Sequence, residues 1–407
     1  MNFNRRKFLA ATPLAAGAMW LNPLPLRAAQ PAAVPTAPAI TRKIKIGQVG
    51  CGGRGSWISK LFAKHGGYEY HAIGDYFPET ANECGDLHGV DKARRFSGLS
   101  AYKRVIESGI EAIVLETPPY FFPEHARAAV EAGLHVYMAK PVAADAWGCL
   151  EIEAAARLAT QKGKCFLVDY QMVTDPGNLE VYNRIRAGGL GKISQMQTVG
   201  TCGIFPDPKF ESTIENRLNH LIWVNDIAIG CDYIGNFDIH AIDMAIWVTG
   251  QRPATAQGVS RICRPDPHGD AHDACSVVFE YADGTVHNHF GSAAKNQVKG
   301  MLDCTLHGTS GHAILSYWGK ATLKSFDDVY AAEVVNLYEA GAARNIATFY
   351  QNVLESKYTN ETAQRAVDGA LACILGREAA ARKTRLTMTE LLREKQRLEV
   401  NLKGLKV

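Results

Sequence analysis

The ten cysteines include no C-x-x-C pair, which excludes zinc ribbons and dithiol redox motifs. They are scattered singly from Cys51 to Cys373 and read as small buried apolar residues. Acidic residues are absent from the first 36 positions, which hold Arg5, Arg6, Lys7 and Arg27. Taking those four positive charges from the formal +3 leaves −1 for the remainder. The mature part therefore has no basic footprint for nucleic acid or an anionic membrane surface. The apolar run from Phe8 to Leu21 falls short of the roughly 20 residues that span a bilayer, and Pro13 and Gly17 interrupt it. What is present is ordinary globular composition: 407 residues, 47% hydrophobic and 21% charged, enough for two domains with sizeable cores.

Arg5-Arg6-Lys7-Phe8-Leu9, followed by that short apolar run, reads as a twin-arginine export signal. Residues 1–36 are expected to be signal peptide and linker, cleaved near Ala28 to Ala33, with an uncleaved N-terminal anchor as the alternative. The expected partner is the twin-arginine translocation machinery, and the expected location is periplasmic or otherwise exported. A chain folded in the reducing cytoplasm before export does not rely on disulfides.

From Lys43 to Val49 polar and apolar residues alternate as a strand that runs into Gly50-Cys51-Gly52-Gly53-Arg54-Gly55. Trp57, Ile58, Leu61 and Phe62 then recur at helical spacing until Gly66-Gly67. Strand, G-x-G-x-x-G turn and helix form the context of a dinucleotide site, whose helix N-terminus faces the pyrophosphate. The next strand, Tyr68 to Gly74, ends at Asp75, twenty residues after Gly55, where a carboxylate accepts hydrogen bonds from a ribose diol. Tyr76, Phe77 and Pro78 follow without a basic residue for a 2′-phosphate, so NAD is the expected cofactor rather than NADP. An exported enzyme would carry that NAD with it, bound before translocation. The βα rhythm continues through Ala112 to Glu116, Thr117-Pro118, a helix from about Glu124 to Ala132, and the strand His135 to Met138 leading to Lys140-Pro141. This predicts a doubly wound parallel sheet over residues 43–165, with Thr117 and Lys140 at ligand-binding strand ends.

In order and spacing, Gly50-Cys51-Gly52-Gly53-Arg54-Gly55, Ala72-Ile73-Gly74-Asp75, Thr117-Pro118, Glu131-Ala132-Gly133-Leu134-His135-Val136, Lys140-Pro141 and His240-Ala241-Ile242-Asp243 resemble the Gfo/Idh/MocA family of oxidoreductases. The resemblance implies a Rossmann domain followed, over residues 166–407, by an α/β domain with a large, open, mostly antiparallel sheet that helps form homo-oligomers. It implies carbohydrate or polyol substrates. Lys140 takes the place of the family's E-K-P lysine beside the nicotinamide, but Ala139 replaces the glutamate. The family's D-x-G-x-H segment corresponds to Asn236-Phe237-Asp238-Ile239-His240, so His240 is the expected base and Asp238 the nearest substitute for its partner carboxylate. Tyr170-Gln171-Met172-Val173 stands where relatives carry an asparagine and paired arginines, placing Gln171 near the cofactor. Phe122 stands where relatives often have a histidine.

The second domain shows strands at Ile193 to Gly200, Ala274 to Tyr281 and Thr285 to Phe290, the last two joined by Ala282-Asp283-Gly284. The connection from Cys202 to Gly230, with Phe205, Phe210, Asn219, His220 and Trp223, offers a wall for a sugar pocket or an ordinary packed loop. His268 and His272 fall in a polar loop, and His287 and His289 share one strand face without a third ligand at zinc-like spacing. No metal is expected. Three functions follow: a sugar, polyol or glycoside oxidoreductase that retains NAD; an NAD-dependent glycosidase using transient oxidation, although the Thr-His-Gly-type segment of one such group is missing; and a non-catalytic NAD-binding protein.

Overall fold

A computed structural model describes residues 40–407 except 208, 210–212, 220 and 298. The expected signal peptide and linker, residues 1–36, and Phe210 and His220 lie outside the described residues.

The first sheet contains β1 (Ile44–Val49), β2 (Tyr68–Asp75), β3 (Arg95–Ser97), β4 (Ala112–Leu115), β5 (His135–Met138) and β6 (Phe166–Val168). Their order is β3-β2-β1-β4-β5-β6, and every pairing is parallel. The chain reverses direction across the sheet between β1 and β4, which opens a crevice at their carboxyl ends. β4 and β5 are buried at every position, as strands covered on both faces must be. β6 carries this sheet past the expected boundary at residue 165.

The second sheet contains β7 (Ile193–Cys202), β8 (Thr255–Arg261), β9 (Ala274–Glu280), β10 (Val286–Ala293), β11 (Met301–Gly308), β12 (Gly311–Ser316), β13 (Lys320–Ser325), β14 (Val329–Glu333) and β15 (Leu386–Thr387), in the order β14-β13-β12-β11-β7-β10-β9-β8-β15. It is antiparallel except where β7 pairs parallel with β10. Burial alternates along β10 and β11, so one face packs on helices and the other is open. The helix Glu361–Arg382 packs between the helices Ala146–Gln161 and Ile239–Thr249 and against β8. Through it a single core runs from Val49 and Phe166 to Phe279 and Ile374, joining the two units. The helix Leu337–Leu354 returns to the first unit, where the Tyr350 hydroxyl donates to the Arg42 carbonyl at 2.7 Å.

Candidate functional site

Two glycines make the turn after β1 possible, and a third leaves open space beside it. Gly50 has φ +89°, and a Cβ there would lie 2.6 Å from the Glu116 backbone at the end of β4. At Gly55 a Cβ would come within 2.1 Å of the Gly50 carbonyl, so helix and strand can meet only without one. Gly52, which precedes the helix Gly53–His65, has open space where a Cβ would stand. The turn is fastened by Gln48, whose buried amide donates to the carbonyls of Gly50 at 3.0 Å and Gly55 at 2.9 Å. Tyr70 donates to its carbonyl oxygen at 3.0 Å.

The turn lines a cleft of about 390 Å³, together with Asp75, Tyr76, Thr117, Pro118 and His125. Asp75 sits at the end of β2 and accepts from the backbone N–H groups of Cys51 at 2.7 Å and Phe77 at 2.9 Å. A carboxylate offers about four acceptor positions, so capacity remains for a ribose diol. The helix after it is capped by Phe77, not by the Asp75 side chain. Thr117 Oγ1 is buried with no protein partner. Open space at Gly52, spare acceptor capacity at Asp75 and the unpaired Thr117 hydroxyl all fit a bound dinucleotide.

Sequence reasoning did not single out His125, which lines the cleft one helical turn past Phe122 and stacks on Tyr102 at 4.2 Å between ring centres. Burial pulls its pKa down to about 3. Phe122 itself is core. Of the long connection after β7, Asn219 and Trp223 reach the cleft beside Leu218 and Leu221, whereas Phe205 packs on Tyr233 instead.

Lys140 and His240 lie outside the lining of this cleft. Lys140, at the end of β5 and followed by a cis bond to Pro141, donates from Nζ to the Asn236 carbonyl at 2.7 Å, in the segment that leads to His240. Burial and the charge of Arg54 bring its pKa down to about 7, against the opposing pull of Asp169 and Glu116. His240, on the helix Ile239–Thr249, is buried, edge-on to Tyr317 at 5.1 Å, and its Nδ1 has no protein partner. Burial, then Lys140 and Arg54, hold its pKa well below the usual histidine value, so the imidazole is neutral.

The carboxylates around Lys140 come from strand ends that its own motif does not name. Arg54 points inward from the glycine-rich turn, with Nε 3.0 Å from Glu116 after β4 and Nη2 on Asp169 after β6. Asp169 also accepts from Gln171 at 2.9 Å and Asn345 at 2.7 Å. Burial raises Glu116 to about 7 although Arg54 opposes the shift. Where Ala139 removes the E-K-P carboxylate, these two acids supply the negative charge felt by Lys140. Gln171, expected at the cofactor, donates its amide to Asp169 and accepts from the Tyr317 hydroxyl at 3.2 Å, and like Lys140 and His240 it does not line the cleft. Asp238, expected to orient His240, turns the other way and accepts from His289 Nε2 at 3.1 Å. Asp243 pairs with Arg365 at 3.0 Å.

A parallel sheet in 3-2-1-4-5-6 order with a glycine-rich turn at its switch point defines a dinucleotide-binding Rossmann fold. Residues 44–170 match the oxidoreductase family with the NAD-binding Rossmann fold, and residues 179–314 match the GFO/IDH/MocA C-terminal domain. The chain belongs to the Gfo/Idh/MocA family of NAD-binding oxidoreductases. It is 29% identical over 209 residues to a glycosyl hydrolase family 109 protein of Shewanella pealeana, covering 47% of this chain and 45% of that one. It is 21% identical over 243 residues to an inositol 2-dehydrogenase of Rhizobium meliloti, covering 59% and 66%. The chain thus spans 45% and 66% of the length of these relatives. A levoglucosan dehydrogenase solved with NADH and levoglucosan shares the fold at a TM-score of 0.72 and 18% identity, over 85% of this chain and 100% of that one.

Proposed function

We propose that the protein is an exported oxidoreductase that acts on a hydroxyl of a sugar, polyol or glycoside and keeps its NAD bound between turnovers. The observation that carries this reading is the convergence of Lys140 and His240 beside the carboxyl ends of the parallel sheet. Bound NAD would supply the acceptor and donor of hydride. His240, neutral in its buried position, takes the proton of the substrate hydroxyl. Lys140 steadies the developing alkoxide and, with a pKa near 7, can pass the proton on. Asp75 and the turn at Gly50 to Gly55 hold the dinucleotide and disfavour a 2′-phosphate. A carbohydrate substrate is supported by the inositol and levoglucosan dehydrogenases among the similar proteins. Export rests on Arg5-Arg6. Homo-oligomerisation is supported by the open face of the second sheet, where Val259, Val278, Phe290 and Met301 are exposed.

A second reading, an NAD-dependent glycosidase, is favoured by the 29% identity to the family 109 glycosyl hydrolase. In that reading the same proton chemistry serves transient oxidation, and the product is a released aglycone. One experiment separates these readings. The mature protein is purified without added cofactor, released nucleotide is identified by absorbance and mass, and a panel of sugars and glycosides is tested in single turnover. NAD(H) with ketone, lactone or alcohol products supports the oxidoreductase, and a free aglycone supports the glycosidase. NAD without turnover on any substrate leaves the non-catalytic reading, and NADP as the preferred ligand overturns the role given to Asp75.

A further inference from the structure

We propose that Asp238, Cys275 and His289 form a metal site of the zinc class that fastens the start of the His240 helix to the second sheet. Asp238 immediately precedes the helix Ile239–Thr249, Cys275 lies on β9 and His289 on β10. Their ligand atoms all lie within 4.8 Å of one another. A tetrahedral zinc ion with ligands at 2.0–2.3 Å separates those ligands by roughly 3.3–3.8 Å, so modest closure around an ion completes the geometry. The 3.1 Å between His289 Nε2 and Asp238 Oδ2 falls just short of that range, so these two ligands need only a small separation to admit an ion.

The strands beneath the cluster are shaped for it. In the sheet, Gly200 of β7 pairs with Gly291 of β10, and Gly291 pairs with Cys275. A Cβ at Gly200 would stand 2.0 Å from Asp238 Oδ1. At Gly291 it would stand 2.1 Å from Oδ2 and 2.7 Å from the Cys275 sulfur. Two neighbouring glycines thus leave the room that the Asp238 carboxylate and the Cys275 sulfur occupy. His289 is oriented from behind: its Nδ1 shares a hydrogen bond with Thr198 Oγ1 at 2.9 Å, which leaves Nε2 facing Asp238. A ligating histidine is commonly held through its other ring nitrogen in this way.

The donor set selects the ion. One sulfur, one imidazole nitrogen and one carboxylate oxygen suit zinc or cobalt and are a poor set for magnesium or calcium, which take oxygen ligands. Three protein ligands leave a tetrahedral position for water. Spacing along the chain conceals the site because its third ligand comes from a helix start in a distant segment. The inference does not depend on the hydride chemistry proposed above, since none of the three residues is assigned to substrate or NAD.

The test uses the whole mature protein, produced in zinc-supplemented medium and purified without chelator. Elemental analysis should find about one zinc per chain, and Co²⁺ exchanged into the site should give a near-ultraviolet thiolate-to-cobalt band. Cys275→Ser should abolish that band, and Thr198→Val should weaken Co²⁺ binding about 10- to 100-fold. Absence of bound zinc together with no thiolate band on Co²⁺ titration of the wild type overturns the proposal, with no variant needed. A band that persists in Cys275→Ser overturns it as well, because the metal then lies elsewhere.

Discussion

The two sheets are built on opposite plans, and the difference decides which of their surfaces is left free. In the parallel sheet, β4 and β5 are buried on both faces, so neither face can meet a ligand. Contact is left to the strand ends, and Gly50, Asp75, Glu116, Lys140 and Asp169 all follow or end a strand there. In the second sheet burial alternates, one face covering the core and the other presenting Val259, Val278, Phe290 and Met301 to solvent. A sheet covered on both sides concentrates function at its edge, whereas a half-covered sheet offers a broad surface for association.

The largest effects should come from the strand ends and their partner helix. Lys140→Ala and His240→Ala should each slow single-turnover hydride transfer by about 10²–10⁴-fold while NAD stays bound, as measured by nucleotide content and stopped-flow absorbance. Wild-type rates in both variants would remove the chemistry from this end of the sheet. The glycine turn sharpens the same point by separating fold from ligand. Gly55→Ala should lower the melting temperature, because the added carbon meets the Gly50 carbonyl at 2.1 Å. Gly52→Ala, with open space around it, should leave melting of the cofactor-free protein unchanged and weaken NAD in a binding titration.

For the second sheet, Phe290→Asp should shift the protein to a smaller species in sedimentation while NAD affinity and single-turnover rate hold. Loss of NAD binding with it would break the division between the sheets. The smallest effect concerns pH. Glu116 raises the pKa of Lys140, so Glu116→Gln should move it below about 7. If the ammonium form steadies the alkoxide, the alkaline fall in kcat/KM should begin at lower pH in the variant. Arg54 acts with the opposite sign, lowering the Lys140 pKa. An unchanged profile would show that Glu116 does not reach Lys140 electrostatically.

Much of the first unit was legible because its signals are local. The strand at β1, the turn from Gly50 to Gly55, the helix ended by Gly66 in the left-handed conformation and the strand ending at Asp75 lie within one continuous stretch. The strand His135–Met138 also follows directly from the residue pattern. The second sheet was only partly legible. Its strands show alternation, but the parallel pairing of β7 with β10 joins segments about ninety residues apart, and periodicity carries no information on partners. The site divides in the same way. Lys140 and His240 were named from family motifs and Gln171 from its place in the family pattern, and the structure alone shows which groups they meet: Lys140 the Asn236 carbonyl, Gln171 the Asp169 carboxylate and the Tyr317 hydroxyl; Asp238, chosen as the nearest carboxylate in sequence, meets His289 and not His240.

Local backbone chemistry thus determined the dinucleotide turn, because glycine spacing and strand-to-helix alternation act between near neighbours. Only the tertiary structure decided which acids surround Lys140. Glu116 and Asp169 come from different strand ends and meet at Arg54 because the parallel order β1-β4-β5-β6 sets those ends side by side. Charge acts through space, and the distance between two charges is a property of the fold.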